Sequence, residues 1–251
     1  LIFAFCLPLF AFSADDADLL FQQGIDAYNN EHYEMAIESF RQLPEQGYES
    51  ADIYYNLGNA YYRKGEFDNV VWCYEKALLI NPSHKDAEFN LEFLNAELFE
   101  GANTVPTSFF QELWKFLYSL FSPGSWFFIF LLFQLVLPAL ILVFFFSASR
   151  RRRRIFFYFS AIAFVLYLLS FSVSSWAYYN MNNPSKAVIK NLSVPVRSEP
   201  GQGGTDIAVV EQASTVRILD HSENWIKIEL PDGNEGWILS EYALDLSRVL
   251  P

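Results

Sequence analysis

The chain has 251 residues, a formal charge of −12, 52% hydrophobic residues and 18% aromatic ones. An acidic balance of this size repels phosphate backbones and argues against nucleic-acid binding; it suits basic or polar partners, or simply keeps the exposed parts soluble. With only Cys6 and Cys73, and Cys6 inside an apolar N-terminal run, the chain is not a disulfide-stapled domain.

Residues 1–12 form an apolar run, followed by Ser13-Ala14 and the acidic Asp15, Asp16 and Asp18. The pattern is that of a signal peptide, residues 1–14, truncated at its start and cleaved after Ser13 or Ala14. Phe5 before Cys6 fits lipoprotein processing poorly, so lipidation is set aside. Counted by segment, residues 15–124 carry −13, the arginine run 150–154 carries +5, and residues beyond 176 carry −4. The strongest acidity therefore sits in the part that follows the leader.

Residues 17–100 contain an internal repeat with a 34-residue period. Gln23-Gly24 recurs as Leu57-Gly58, Tyr33 as Phe67, Ala36 as Val70, and Phe40 as Tyr74. The second copy reads Tyr54-Tyr55-Asn56-Leu57-Gly58-Asn59-Ala60-Tyr61, then Gly65-Glu66-Phe67, Tyr74, Ala77-Leu78 and Asn81-Pro82. It resembles a tetratricopeptide repeat. Copies are expected over 17–50 and 51–84, with a capping helix over 85–100 that presents Phe89, Phe93, Leu94 and Leu98 to the last repeat. Early Pro44 is expected to stop the second helix of the first copy near Leu43.

The resemblance implies a peptide-binding groove at the fifth, ninth, twelfth and thirteenth positions of each repeat. These are Phe21, Ile25, Tyr28 and Asn29 in the first copy, and Tyr55, Asn59, Tyr62 and Arg63 in the second. Relatives that grip a C-terminal carboxylate pair asparagines at the ninth position with bases nearby. Here Ile25 faces Asn59, and the third helix brings Phe93 and Glu97, so the implied groove is aromatic and weakly polar, suited to a peptide or a partner helix.

After a linker over 101–107, residues 108–121 place Gln111, Glu112, Lys115 and Ser119 on one helical side, with Phe and Leu residues around the rest. This reads as an interfacial amphipathic helix, with packing on the repeat domain as the alternative. Residues 126–147 and 155–177 are uncharged and long enough, at ~1.5 Å per residue, to cross a hydrocarbon layer ~30 Å thick. They are expected to form a transmembrane hairpin around a cytoplasmic basic loop, 148–154. Because Arg150, Arg151, Arg152, Arg153 and Arg154 resist translocation, they set the topology and place both soluble parts outside the cytoplasm. Two spans with a single deep amide, Gln134, do not make a transporter.

From residue 186 the period changes. Short β-branched runs at 187–189, 194–197, 207–210, 215–219, 225–230 and 236–239, separated by turns such as Pro231-Asp232-Gly233-Asn234, predict a small all-β barrel over 186–247. Val196-Arg197-Ser198, the glycines at 201, 203 and 204, Asn224-Trp225, and Glu235-Gly236-Trp237 resemble a bacterial SH3 domain. Trp225 and Trp237 either line a ligand groove or close the barrel core. The fold class is thus multidomain: an all-α tetratricopeptide solenoid, a two-helix transmembrane hairpin and a small all-β SH3-like barrel.

This order of modules resembles the BatE proteins of the aerotolerance operon. That resemblance implies an inner-membrane protein with periplasmic domains, working in aerotolerance or envelope stress beside von Willebrand factor A-domain membrane proteins and a MoxR-type ATPase. It transfers no catalytic residues. His32, His84 and His221 lack partners at ligand spacing and read as surface residues, and no phosphate loop, serine elbow or zinc pattern occurs. No enzyme activity, cofactor or metal is expected. The favoured reading is a non-catalytic scaffold for membrane and periplasmic proteins; the alternative is an envelope tether that binds peptidoglycan through the SH3-like domain.

Overall fold

The computed structural model describes residues 14–99, 109–183, 185–201, 203–230 and 233–247. The expected leader, apart from Ala14, and the linker 101–107 lie outside the described residues. The first five helices are α1 (Ala14–Asn29), α2 (Tyr33–Glu45), α3 (Ala51–Lys64), α4 (Phe67–Ile80) and α5 (Lys85–Leu98). In each of the first two pairs an aromatic ring fills the space left by a glycine. A Cβ on Gly24 would stand 2.6 Å from the Phe40 ring, and one on Gly58 would stand 2.7 Å from the Tyr74 ring. Helix ends follow local chemistry: the Ser50 hydroxyl caps α3 by accepting from the Ile53 N–H at 3.2 Å, and Gly65, at φ 76°, closes it in the left-handed region.

Two expectations are corrected here. Helix α2 does not stop at Leu43; it runs to Glu45, with Pro44 buried in its last turn. The Gln46 and Tyr48 N–H groups return to the carbonyls of Gln42 and Leu43, so the bond that proline cannot make is offset at the helix end. Helix α5 turns inward only half of the side its pattern suggested, with Leu98 packed on the core beside buried Leu94. Ala87, Leu91 and Leu94 are buried, whereas Phe89 and Phe93 are 67% and 56% exposed. Ala87 is fully buried, and its N–H donates to His84 Nδ1.

Helices α6 (Phe109–Ser119), α7 (Pro123–Phe146) and α8 (Arg150–Asn182) follow. At 24 and 33 residues, α7 and α8 are both long and apolar enough to cross a bilayer. They run antiparallel. Phe130 meets Tyr167 and Phe171, with ring centroids 5.3 and 5.6 Å apart, and Phe144 meets Phe157 at 6.2 Å towards the other end. The expected basic loop is helical: all five arginines lie in the first turns of α8, and only 147–149 link the two helices. Arginine is a good helix former, and the Arg153 guanidinium rests 5.2 Å from the Phe144 ring centroid. Helix α8 also continues past 177 to Asn182.

The C-terminal part is a seven-stranded antiparallel sheet: β1 (Lys186–Ile189), β2 (Ser193–Arg197), β3 (Asp206–Glu211), β4 (Thr215–Ser222), β5 (Trp225–Glu229), β6 (Glu235–Leu239) and β7 (Ala243–Asp245), in the order β3-β2-β6-β5-β4-β1-β7. Val210 of β3 and Ile189 of β1 come from distant places in that order yet share one core with Ile226, Ile228 and Ile238, so the sheet folds over on itself. Strand β7 was not expected. Three residues after a short turn, 240–242, are too few to show an alternation.

The two soluble parts join in a common core. Strand β1 is buried on both faces: Ala187 and Ile189 fill the sheet's interior, while Val188, with Ala213, Leu244 and Leu246, packs in the repeat domain's cluster. Both parts are connected to the hairpin at the end opposite the arginines, α6 entering α7 and α8 leading to β1.

Candidate functional site

Four of the repeat positions expected to face the groove fall into two clusters, and Phe21 and Tyr62 lie outside both. Tyr28 packs on Tyr33 with ring centroids 5.6 Å apart, and Arg63, reaching back from α3, places its guanidinium 5.0 Å from the same Tyr33 ring. Arg63 therefore ties the two repeats together by a cation–π contact. In the second cluster Tyr55 lies 6.0 Å from Tyr74 and 4.9 Å from His84. Asn59 accepts a 2.7 Å hydrogen bond from the Tyr74 hydroxyl and a 3.3 Å bond from the Asn90 amide, so its carbonyl oxygen is already used to hold α4 and α5. Phe21 packs inward on Phe40 at 5.6 Å, and Tyr62 stays exposed beside Phe67.

Phe89 at this face went unrecognised as a groove residue, whereas the pattern places Phe93 both at the groove and on the capping side. Phe89 and Phe93 occupy in α5 the places that Tyr55 and Asn59 occupy in α3, one repeat period of 34 residues on. The signal was present in that register. The face they extend is aromatic and weakly polar, so it can take apolar side chains.

Burial pushes the Tyr74 hydroxyl up, against a smaller opposing effect of its Asn90 hydrogen bond. Burial likewise raises Tyr61 to about 12 and lifts the Cys73 thiol well above its ordinary value, which keeps it protonated and inert. His84 is no surface residue. Its Nδ1 accepts from the Ala87 N–H at 3.1 Å and caps α5, which leaves Nε2 to donate to Asp52 at 3.2 Å. Among the described residues no three His, Cys, Asp or Glu side chains gather as metal ligands would.

On the barrel, Ile226, Ile228 and Ile238 point inward, so the alternating Trp225 and Trp237 stand on the outer face, half-buried. The register pairs Lys227 with Trp237 and Trp225 with Leu239, which makes the two tryptophans diagonal neighbours. Arg197 lies 5.6 Å over the Trp225 ring and is itself held by Asp206 at 3.3 Å and by the Gly201 carbonyl at 2.9 Å.

The barrel also grips α4 through a stripe of one helical face. The Trp72 indole N–H donates to the Asp245 carbonyl at 3.2 Å, Lys76 Nζ donates to the Leu246 carbonyl at 3.0 Å, and Lys186 Nζ meets Glu75 at 2.6 Å. Asp68 bonds Gln212; burial raises its carboxyl pKa more than that bond lowers it. For Lys186, burial alone would lower the pKa, but the charge of Glu75 and the hydrogen bond to it prevail and raise it. Beside this contact a cleft of about 460 Å³ opens among Glu75, Glu92, Trp176 and Lys186. Its walls come from the repeats, the hairpin and the barrel, so its shape depends on their docking.

Comparison with known families adds two matches: a tetratricopeptide repeat over residues 51–84 and a bacterial SH3 domain over residues 192–243. No curated protein matches the chain. Both matched families are typically non-catalytic binding modules, and they support a role in protein interaction or peptidoglycan binding.

Proposed function

We propose that this chain is a non-catalytic, membrane-anchored scaffold whose repeat face holds a segment of a protein partner. The observation that carries the reading is the uncovered aromatic face of the repeats, where Tyr62, Phe89 and Phe93 remain exposed although α5 completes the solenoid. Tyr55 and Tyr28 floor the same face, whereas Asn59 and Arg63 serve to fix its shape. The partner is an amphipathic helix or extended segment that offers apolar side chains, with basic residues to match the acidic surroundings.

The hairpin anchors the scaffold in a bacterial inner membrane. Its arginine end, Arg150 to Arg154, stays cytoplasmic, so the repeats and the barrel stand on the periplasmic side. The module order likens the chain to the BatE proteins, and the partners then are von Willebrand factor A-domain membrane proteins working with a MoxR-type ATPase in aerotolerance or envelope stress. The test is photocrosslinking in intact membranes with a benzophenone side chain at position 62. A discrete partner adduct that disappears in the Phe89→Ser/Phe93→Ser chain supports the reading; an adduct of unchanged yield overturns it.

One observation favours a second reading, an envelope tether. Trp225 and Trp237 lie on the barrel's outer face rather than in its core, beside the fixed Arg197, and such a surface suits the sugar and peptide faces of cell wall. Cosedimentation of the detergent-solubilised full chain with purified peptidoglycan, lost on Trp225→Ala/Trp237→Ala, supports the tether. Failure of the wild-type chain to sediment removes it.

A further inference from the structure

Opposite its polar side helix α6 carries a broad apolar arc, and among the described residues its two edges differ in what they meet. On one edge Trp114 and Tyr118 pack against Trp176 at the end of α8, with ring centroids 6.1 and 4.7 Å apart. The elbow into α7 is fixed as well. The Trp126 indole N–H donates to the Tyr118 carbonyl at 3.2 Å, and Phe121 stacks edge-on against the buried Trp126 ring at 5.4 Å. These contacts hold α6 against the outer end of the hairpin, and Tyr118 also lines the cleft that α5 borders.

The other edge presents Leu113, Phe116 and Leu120, which are 41%, 59% and 46% exposed and fall at helical spacing. Just past the elbow, Phe127, Phe128 and Leu131 of α7, in the part of the hairpin that enters lipid first, are exposed as well. We infer that α6 lies in the headgroup layer as a belt, with Leu113, Phe116 and Leu120 dipping into the acyl boundary of the bilayer. The inference rests on the reading of α7 and α8 as a spanning hairpin. Three observations single out lipid as the occupant: the stripe lies just before the exposed apolar start of α7, it contains no charge, and the tryptophans at 114, 126 and 176 gather at one level, as residues of a membrane interface do. Residues Glu112 and Lys115 cancel in charge, so burial of apolar surface drives the insertion and salt leaves it unchanged. As a belt, α6 sets how deep the hairpin sits and keeps the repeat domain close to the membrane surface.

The test uses the full chain in phosphatidylcholine vesicles at low protein density, in a Cys6→Ser background, since buried Cys73 resists labelling. Nitroxides are placed at Leu113→Cys on the belt, Leu135→Cys in the middle of α7, and Leu192→Cys on the barrel. Collision with apolar oxygen and with a water-soluble nickel chelate is then compared. The belt is supported when position 113 favours oxygen in the manner of 135 and keeps that preference in high salt. It is overturned, with the spanning hairpin intact, when 113 meets the chelate as 192 does while 135 still favours oxygen. A label at 113 that neither collider reaches means a protein neighbour covers the stripe and also overturns it. If 135 itself meets the chelate, the hairpin reading fails and the belt with it.

Discussion

Helices α4 and α5 are neighbours in one solenoid, each is rich in apolar residues, and they meet opposite fates. Every residue of α4 from Val70 to Ala77 is buried. Its inner face packs in the repeats, and its outer face, led by Trp72, is covered by β1 and β7 of a module more than 100 residues away in sequence. Helix α5 buries only one side and leaves Phe89 and Phe93 in the open. On α4 surplus apolar surface marks a contact beyond the repeat. There the chain supplies that contact itself; on α5 the surplus stays uncovered within the described residues. One acidic solenoid carries both a closed face, which fixes architecture, and an open one, which is available for recognition.

The comparison breaks most severely at Trp72. Trp72→Ala removes a fully buried indole and its bond to the barrel and is expected to cost about 3–5 kcal/mol, with proteolytic release of the barrel at lower denaturant, measured on the detergent-solubilised chain. Gly58→Ala forces a methyl group into the Tyr74 ring and is expected to cost about 1–3 kcal/mol by the same assay. Lys186→Ala, which leaves the nearly buried Glu75 carboxylate unpaired, falls in a similar range of about 1–3 kcal/mol. The paired change Glu75→Gln/Lys186→Met is expected to restore most of that loss, because no stranded charge remains. The Lys186 contribution persists below pH 10.5, its ordinary value, and fades only as pH rises through its raised folded value, which a pH series of unfolding midpoints checks.

On the open side the expected effect on stability nearly vanishes. Phe89→Ser/Phe93→Ser is expected to shift stability by less than about 0.5 kcal/mol while removing the partner adduct at position 62. A large stability loss instead means that α5 buries these rings in solution. The smallest effect concerns Asp68, whose carboxyl holds its proton more tightly in the folded chain than the ordinary 3.8. Its folded-state penalty grows as pH rises from 3.8 through that raised value, so Asp68→Asn is expected to stabilise slightly at neutral pH and not at all below 3.8.

Much of the architecture could be read from residue pattern. The glycine at each repeat's eighth position, the two uncharged runs, and the β-branched segments after 186 each state a local rule, and the helices and strands follow them closely. The misses have specific causes. Phe89 and Phe93 looked like core because helical periodicity cannot tell which of two apolar sides faces inward; the buried side is that of Ala87, Leu91 and Leu94. Asn59 and Arg63 looked available for a ligand because their bonds run to Asn90 and Tyr33 on other helices, and no local pattern reveals such partners. The run Val71-Trp72-Cys73 between packing positions Val70 and Tyr74 did carry a sign of the second contact, since a helix apolar all round is covered all round.

What this chain's order of residues determines by itself is the set of pieces: a repeat pair, two lipid-length helices, a small barrel, and an arginine run. These depend on short-range forces, namely steric freedom at glycine, backbone hydrogen bonding and the period of apolar side chains. The tertiary structure alone decided that the barrel returns to close α4, that the tryptophans of β5 and β6 face outward, and that α6 folds against the ends of the hairpin. Such choices depend on shape and charge matching between surfaces far apart in sequence, where burial of Trp72 and pairing of Lys186 with Glu75 outweigh any preference encoded nearby.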